Sequence, residues 1–224
     1  MAPSLHPDDM PITLIDPHNP DLAILKKAAD LIRSGGLVAF PTETVYGIAV
    51  DAANGDAIRR LYTVKGRPEG KPILLLIAER AWLTGLTDSV SQQAEAVMAA
   101  FWPGPLTLAF SASSTVHPGL LAGGTTIGVR FSDSKLAQAL AHAVGGPITA
   151  PSANRSGAEN PLSAQEVHHQ FGDQIDLILD GGSAQDAVPS TVVDVSGKTP
   201  LLIRPGKIPF EAVFRVWTHA DCSP

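Results

Sequence analysis

The sequence predicts one α/β domain built on a mixed β-sheet, and three observations carry that prediction. About nine short apolar runs of strand length lie among four or five stretches with helical spacing. Helices do not separate every pair of strands, so some neighbours must run antiparallel. No internal repeat or low-complexity linker divides the chain, which leaves residues 1–209 as one unit and 210–224 as an appended tail.

The elements follow in order. Residues 1–18 hold four prolines and little periodicity apart from Ile12–Ile15, a candidate edge strand. Asn19-Pro20 supplies a cap and a first-turn proline for a helix that turns Leu22, Leu25, Ala29 and Ile32 to one face and stops at Gly35. LVAF at 37–40 is a strand that must end at Pro41, which cannot donate to a ladder, and it presents Thr42, Glu43 and Thr44 at its carboxyl end. In open α/β sheets that end binds ligands. Ile48–Val50 continues extended, and Asp56 caps a short helix with Ile58, Leu61 and Tyr62 that delivers Lys65 to its end.

ILLLIA at 73–78 has the length of a buried strand, a helix from about Ser89 to Phe101 follows, and Pro103-Gly104-Pro105 breaks the chain before a strand at 106–110. The Ser, Thr and Gly richness of 111–124 reads as a mobile loop. TTIGVRF at 125–131 is a strand ending in Arg130, after which Ser132 or Asp133 caps a helix with Leu136, Leu140 and Val144 inward. GGPITAPSAN holds a short strand, a proline and small polar residues. Ser163 and Glu166 form a capping box, and IDLILD, STVVDV and LLIRPG are three further strands.

Composition narrows the function classes. The chain of 224 residues is 44% hydrophobic and 17% charged, enough apolar material for a sizeable core. A formal net charge of −6 argues against nonspecific binding of polyanions, so attraction for phosphate must come from a local cluster such as Lys65, Arg67 and Lys71. The single cysteine, Cys222, allows no disulfide framework, and neither a secretory signal nor a membrane-length apolar run is present; a soluble cytoplasmic protein is the expectation.

Several motifs match only in part. Gly66–Pro72 resembles a phosphate loop but is one residue short between its glycines and has Pro72 in place of the metal-binding hydroxyl. Ser132 and Lys135 have the spacing of a serine hydrolase pair without its companion motifs, and a helix cap accounts for Ser132 more cheaply. The seven histidines are scattered, which argues against a transition-metal site. The cationic cluster has a solvated-loop reading too, yet it has company: Ser152 and Asn154 stand one residue apart after another strand, and two more strands end in Pro189-Ser190-Thr191 and Arg204-Pro205-Gly206.

PTETVYG, KGRP, WPGPLTL, GVRF, PSANRSG, PSTVVD and IRPG, in this order and at these intervals, closely resemble the YrdC/Sua5 family of threonylcarbamoyl-AMP synthases. The resemblance spans about 35–206, with K-x-R and S-x-N as its signature. It implies a single twisted open mixed β-sheet with flanking helices and a concave, locally cationic central cleft. It further implies a nucleotidyltransferase that joins L-threonine, bicarbonate and ATP into L-threonylcarbamoyl-adenylate, releasing pyrophosphate. Mg²⁺ would come with the ATP phosphates, with no protein ligand assigned. A downstream tRNA threonylcarbamoyl-transferase machinery would then modify adenosine 37 of tRNAs that read codons beginning with A.

Carried over residue by residue, the resemblance assigns Lys65, Arg67, Ser152 and Asn154 to catalysis. Arg67, Lys71, Thr126, Ser152, Asn160 and Arg204 match ATP-binding positions, and Thr44, Arg130, Ala150 through its backbone and Ser190 match threonine-binding positions. A guanidinium suits the amino-acid carboxylate, and Lys65, Arg67 and Lys71 suit the triphosphate. The chain departs from the pattern at Leu76, where many members have histidine, and at Lys71, where asparagine is frequent. It also stops soon after the domain, so the separate C-terminal domain of longer members is expected to be absent. Two competing readings are an RNA-binding module of the same fold, which would weaken steeply with salt, and a carbamoyl-adenylate-forming enzyme using carbamoyl phosphate.

Overall fold

The computed structural model describes residues 11–68, 70–184 and 188–220; most of the proline-rich start, Glu69 and Cys222 lie outside them. Strand β1 (Ile12–Leu14) leads into helix α1 (Leu22–Arg33), capped by Asp21, whose carboxylate accepts from Ala23 N and Ile24 N at 2.8 and 3.0 Å. Asn19 is therefore not the cap. Leu25, Ala28, Ala29 and Ile32 are buried, while Leu22 is exposed. Strand β2 (Val38–Phe40) ends at Pro41 and β3 (Gly47–Ala49) returns beside it. Helix α2 (Gly55–Lys65) starts at the Asn54 cap rather than at Asp56 and ends on Gly66, whose φ of 57° is cheap only for glycine.

Then come β4 (Leu75–Ile77), α3 (Gln92–Phe101), β5 (Leu106–Ser111), the short α4 (Pro118–Leu121) and β6 (Thr126–Phe131). Helix α5 (Lys135–Val144) is capped by Ser134, because the hydroxyl of Ser132 is turned to the carboxylate of Glu43 and Asp133 is not in cap position. Strand β7 (Ile148–Thr149), helix α6 (Ala164–Phe171), strands β8 (Leu177–Asp180), β9 (Thr191–Asp194) and β10 (Leu201–Arg204) and helix α7 (Phe210–Ala220) complete the described chain. The Ser163 hydroxyl accepts from Glu166 N at 3.2 Å; the Glu166 carboxylate accepts from Leu162 N at 2.7 Å, one residue before the position a capping box would use.

Two expectations need correction. Residues 111–124 are anchored rather than a free loop: Ser113 N donates to Leu86 O, Ile73 N donates to Leu120 O, and Val116 and Leu120 are buried. The tail is not an appendage over its described part, since α7 lies along α3 and buries Val213 and Trp217.

The mixed α/β architecture is as predicted, but the strands divide between two ladders instead of forming one sheet. The smaller has the order β1-β8-β2-β3 and the larger β10-β9-β5-β6-β4-β7, each with parallel and antiparallel neighbours. They meet at a seam where Asp51 bridges Ile148 and Gly47 bridges Ser152. The buried Thr149 hydroxyl stitches this seam, accepting from Val50 N and donating to Ile48 O, both at 2.9 Å. One core cluster packs α1 and α5 against Val38, Phe40, Leu76 and Ile148; a larger one gathers α2, α3, α6 and α7 on Leu75, Ile77, Leu108 and Val129. Among the described residues no helix is long and apolar enough to cross a membrane.

Candidate functional site

The register of the larger sheet sets a row of side chains on one face. Thr107 on β5 stands opposite Arg130 on β6 and Val192 on β9, and Val192 stands opposite Arg204 on β10, past a register shift between Leu202 and Arg204. Paired residues share a face, so Arg130, Thr107, Val192 and Arg204 form one line across four strands.

At one end of the row the smaller sheet supplies a turn. Pro41 ends β2, and the Thr42 hydroxyl accepts from Thr44 N and Val45 N and donates to Val45 O, a compact hydroxyl turn that aims Glu43 and Thr44 at Arg130. Arg130 Nη1 donates to Thr44 Oγ1 at 3.0 Å, Nη2 to Glu43 Oε1 at 2.5 Å and Nε to Gly104 O at 3.4 Å. The Glu43 carboxylate takes a second bond from the Ser132 hydroxyl. Burial opposes ionisation of Glu43, but the Arg130 charge and the Ser132 and Arg130 hydrogen bonds outweigh it and hold the carboxyl below the ordinary glutamate range. Burial and the Glu43 charge push its neighbour Asp133 upward.

At the other end, Ser190 Oγ lies 2.9 Å from Thr107 Oγ1, and Arg204 Nη2 donates to Ser190 O and Oγ at 2.7 and 3.2 Å. Arg204 Nε is buried and makes no hydrogen bond among the described residues. Burial first, then the charges of Arg130 and Arg67, lower the Arg204 pKa. Gly206 makes this end possible. A Cβ there would fall 2.4 Å from Pro189 O, Ser190 C and Thr191 N, so only glycine lets the Arg204-Pro205-Gly206 turn lie on the Pro189-Ser190-Thr191 backbone.

The K-x-R and S-x-N residues do not act as a pair of exposed cations and a pair of exposed polar groups. Lys65 is 2% exposed, and its ammonium donates to Ser152 O at 2.5 Å and Asn154 O at 2.6 Å, tying the end of α2 to the loop after β7. Burial, with Arg67 adding, brings its pKa from 10.5 down to about 7. Lys65, expected at a triphosphate, is instead buried with two of its three donors taken by backbone. Arg67 donates to Lys71 O at 3.0 Å and Pro72 O at 2.7 Å, folding its own loop, and Tyr62 OH also donates to Lys71 O. The Lys71 side chain is exposed. Ser152 Oγ donates to Asn154 Oδ1 at 2.5 Å, and Asn154 Nδ2 donates to Arg155 O and Ala158 O.

The remaining expected residues are placed less tightly. Ala150 N is committed to Leu74 O, leaving its carbonyl as the group to reach a ligand. Thr126 lies on the Arg130 face of β6, four residues earlier, and Asn160 lies in the loop before α6; neither hydrogen-bonds another expected site residue among those described. Leu76 is fully buried in the α1–α5 core. The sequence reading put Glu43 at the ligand-binding end of its strand without a partner and gave Thr107 no role, although both stand inside quoted blocks, PTETVYG and WPGPLTL. Arg155 of PSANRSG is a brace, bonding Gln170 O and Gln174 Oε1 and stacking over Phe171. None of these residues lines the cavity of about 410 Å³ near Asp51 and His117 or the groove of about 740 Å³ between α2 and α4. Among the described residues no group of three His, Cys, Asp or Glu side chains gathers to hold a metal.

Comparison with known proteins places this geometry. The Sua5_yciO_yrdC family model, described as "Telomere recombination", matches residues 30–206. A threonylcarbamoyl-AMP synthase of Pyrococcus abyssi is 42% identical over 86% of this chain and 56% of its own length. One of Vibrio vulnificus is 36% identical over 81% of this chain and 98% of its own. A crystal structure of P. abyssi Sua5 complexed with L-threonine superposes with a TM-score of 0.88 at 38% identity, covering 92% of this chain and 60% of that one. The chain thus spans little more than half the length of the P. abyssi relative.

Proposed function

The chain belongs to the Sua5_yciO_yrdC family, and on that premise we propose that it makes L-threonylcarbamoyl-adenylate from L-threonine, bicarbonate and ATP for tRNA modification. The observation that carries the reading is the row from Arg130 to Arg204: two guanidiniums, each with a hydroxyl partner, joined through Thr107 and Ser190. That is a layout for two different anions held side by side.

In this reading Arg130 and Thr44 hold the threonine carboxylate, with Ser190 and the Ala150 carbonyl bordering the same subsite. Arg204, Arg67 and Lys71 receive the phosphates, and Arg204 Nε is a donor awaiting an acceptor. Ser152, Asn154, Asn160 and Thr126 border the nucleotide. Lys65 is a positioning residue that fixes the Ser152–Asn154 loop. The threonine amine and bicarbonate combine to a carbamate with loss of water. A carbamate oxygen attacks the α-phosphorus, the bond to the β-phosphate oxygen breaks, and pyrophosphate leaves with its electron pair. No side-chain nucleophile is required, so placement and electrostatics supply the rate. Mg²⁺ would arrive with the triphosphate; the described residues offer it no carboxylate cage. The product would pass to a tRNA-modifying partner.

The test is pyrophosphate release by the purified protein with Mg-ATP, omitting bicarbonate and threonine in turn, with mass detection of the adenylate. Release that needs both and yields threonylcarbamoyl-AMP supports the reading. Release indifferent to threonine overturns it.

A further inference from the structure

Three guanidiniums are assigned to this site by the functional reading, and they are not equal. Arg130 is 6% exposed and pairs with Glu43, whose second oxygen is held by Ser132. Arg67 donates to two carbonyl oxygens, and Arg204 to a carbonyl and a hydroxyl; among the described residues neither has a carboxylate within ion-pair reach. Arg130 with Glu43 is therefore a dipole without net charge, whereas Arg67 and Arg204 keep their full charge.

The donor count sharpens the contrast. A guanidinium has five N–H groups. Arg130 spends three, one each from Nε, Nη1 and Nη2, on Gly104 O, Thr44 and Glu43. What remains is one N–H on each terminal nitrogen, enough for the two oxygens of one carboxylate and too little for a multiply charged phosphate chain. An amino acid is a zwitterion and loses little on entering a neutral dipolar pocket, while a polyphosphate gains nothing there and is repelled by the carboxylate it would face.

We propose that Glu43 is a specificity-determining residue that sorts the two anionic substrates, neutralising Arg130 so that the amino-acid subsite turns polyphosphate away and leaves it to Arg67 and Arg204. This inference rests on the functional reading above for the identity of the substrates, but its test does not need turnover.

Inorganic pyrophosphate is titrated calorimetrically into the wild type and into Glu43→Gln. The wild type should bind one pyrophosphate, and Glu43→Gln two, the second displaced by L-threonine. In steady state, pyrophosphate inhibition against threonine should change from noncompetitive to competitive, its inhibition constant falling about tenfold. A merely structural Glu43 would lower stability without adding a site, and Glu43→Asp should restore the single site. One pyrophosphate bound in both proteins, with the same inhibition pattern, overturns the proposal while leaving synthase activity intact. Should Glu43→Gln not fold, the converse variant decides: Val192→Asp puts a carboxylate opposite Arg204, its partner across the register shift in β10. It should weaken pyrophosphate binding about tenfold and leave threonine binding unchanged; unchanged pyrophosphate affinity would overturn sorting by local charge.

Discussion

Lys65 and Arg204 are both cations at the end of an element, and both stand in motifs that suggest phosphate binding, yet the fold uses them in opposite ways. Lys65 ends α2 and is sealed in, with its two bonds made to backbone carbonyls of another loop. Arg204 ends β10 and keeps Nε without a partner among the described residues. A satisfied buried cation belongs to the frame, whereas an unsatisfied one is poised for a ligand. Sequence gives both the same formal charge; only the accounting of donors separates them.

The comparison can be broken from either side. Lys65→Ala has the largest expected effect, about 4 kcal/mol of lost stability, since it opens a cavity and strands two partly buried carbonyls. Urea unfolding measures it, and a stable variant with only a raised ATP KM would put Lys65 back among the ligand-binding cations. Arg204→Gln should do the reverse, lowering kcat/KM for ATP by about 10–100-fold, or roughly 1.4–3 kcal/mol, with stability within about 1 kcal/mol of wild type. Gly206→Ala should cost about 1–2 kcal/mol and raise the ATP KM together with it, because the new methyl pushes the Ser190 backbone that Arg204 grips.

The smallest effect is a pH slope. The folded-state pKa of Lys65 is depressed to about 7 against 10.5, so between those values the unfolded chain binds the extra proton. Stability then rises with pH through this window, by about 1 kcal/mol between pH 7 and 8, and is flat for this group below about pH 6. The neutral amine still has two hydrogens for its two carbonyls, so the bonds survive deprotonation. Lys65→Met should abolish the slope, and a slope that persists in it must come from another group.

Much of the fold was legible because it depends on local rules. Pro41 ends β2, α2 ends at Lys65 and the ILLLIA run is a strand, each for reasons contained in a few residues. Caps were read less well: Asp21, Asn54 and Ser134 hold the roles given to Asn19, Asp56 and Ser132 or Asp133, since a cap is chosen by where the backbone turns helical. Helix α7 carried its own signal, with Phe210, Val213, Phe214 and Trp217 at helical spacing, and its polar ending obscured it. The site was legible as a set of residues and illegible as a circuit. Arg130 meets Glu43 across 87 positions, and Thr107 meets Ser190 across 83. Such pairings are fixed by strand pairing and by how the two sheets meet, both between distant segments, which no local pattern encodes.

The seam stitched by Thr149 has a mechanical consequence. Glu43 and Thr44 ride on the smaller sheet and Arg130 on the larger, so their bonds span the joint between the two. If the sheets swing, that joint is the hinge, and Arg130 is its latch. A carboxylate seated on Arg130 would be held by both leaves at once, which makes occupancy of the small-molecule site and stiffness of the whole domain two readings of one equilibrium.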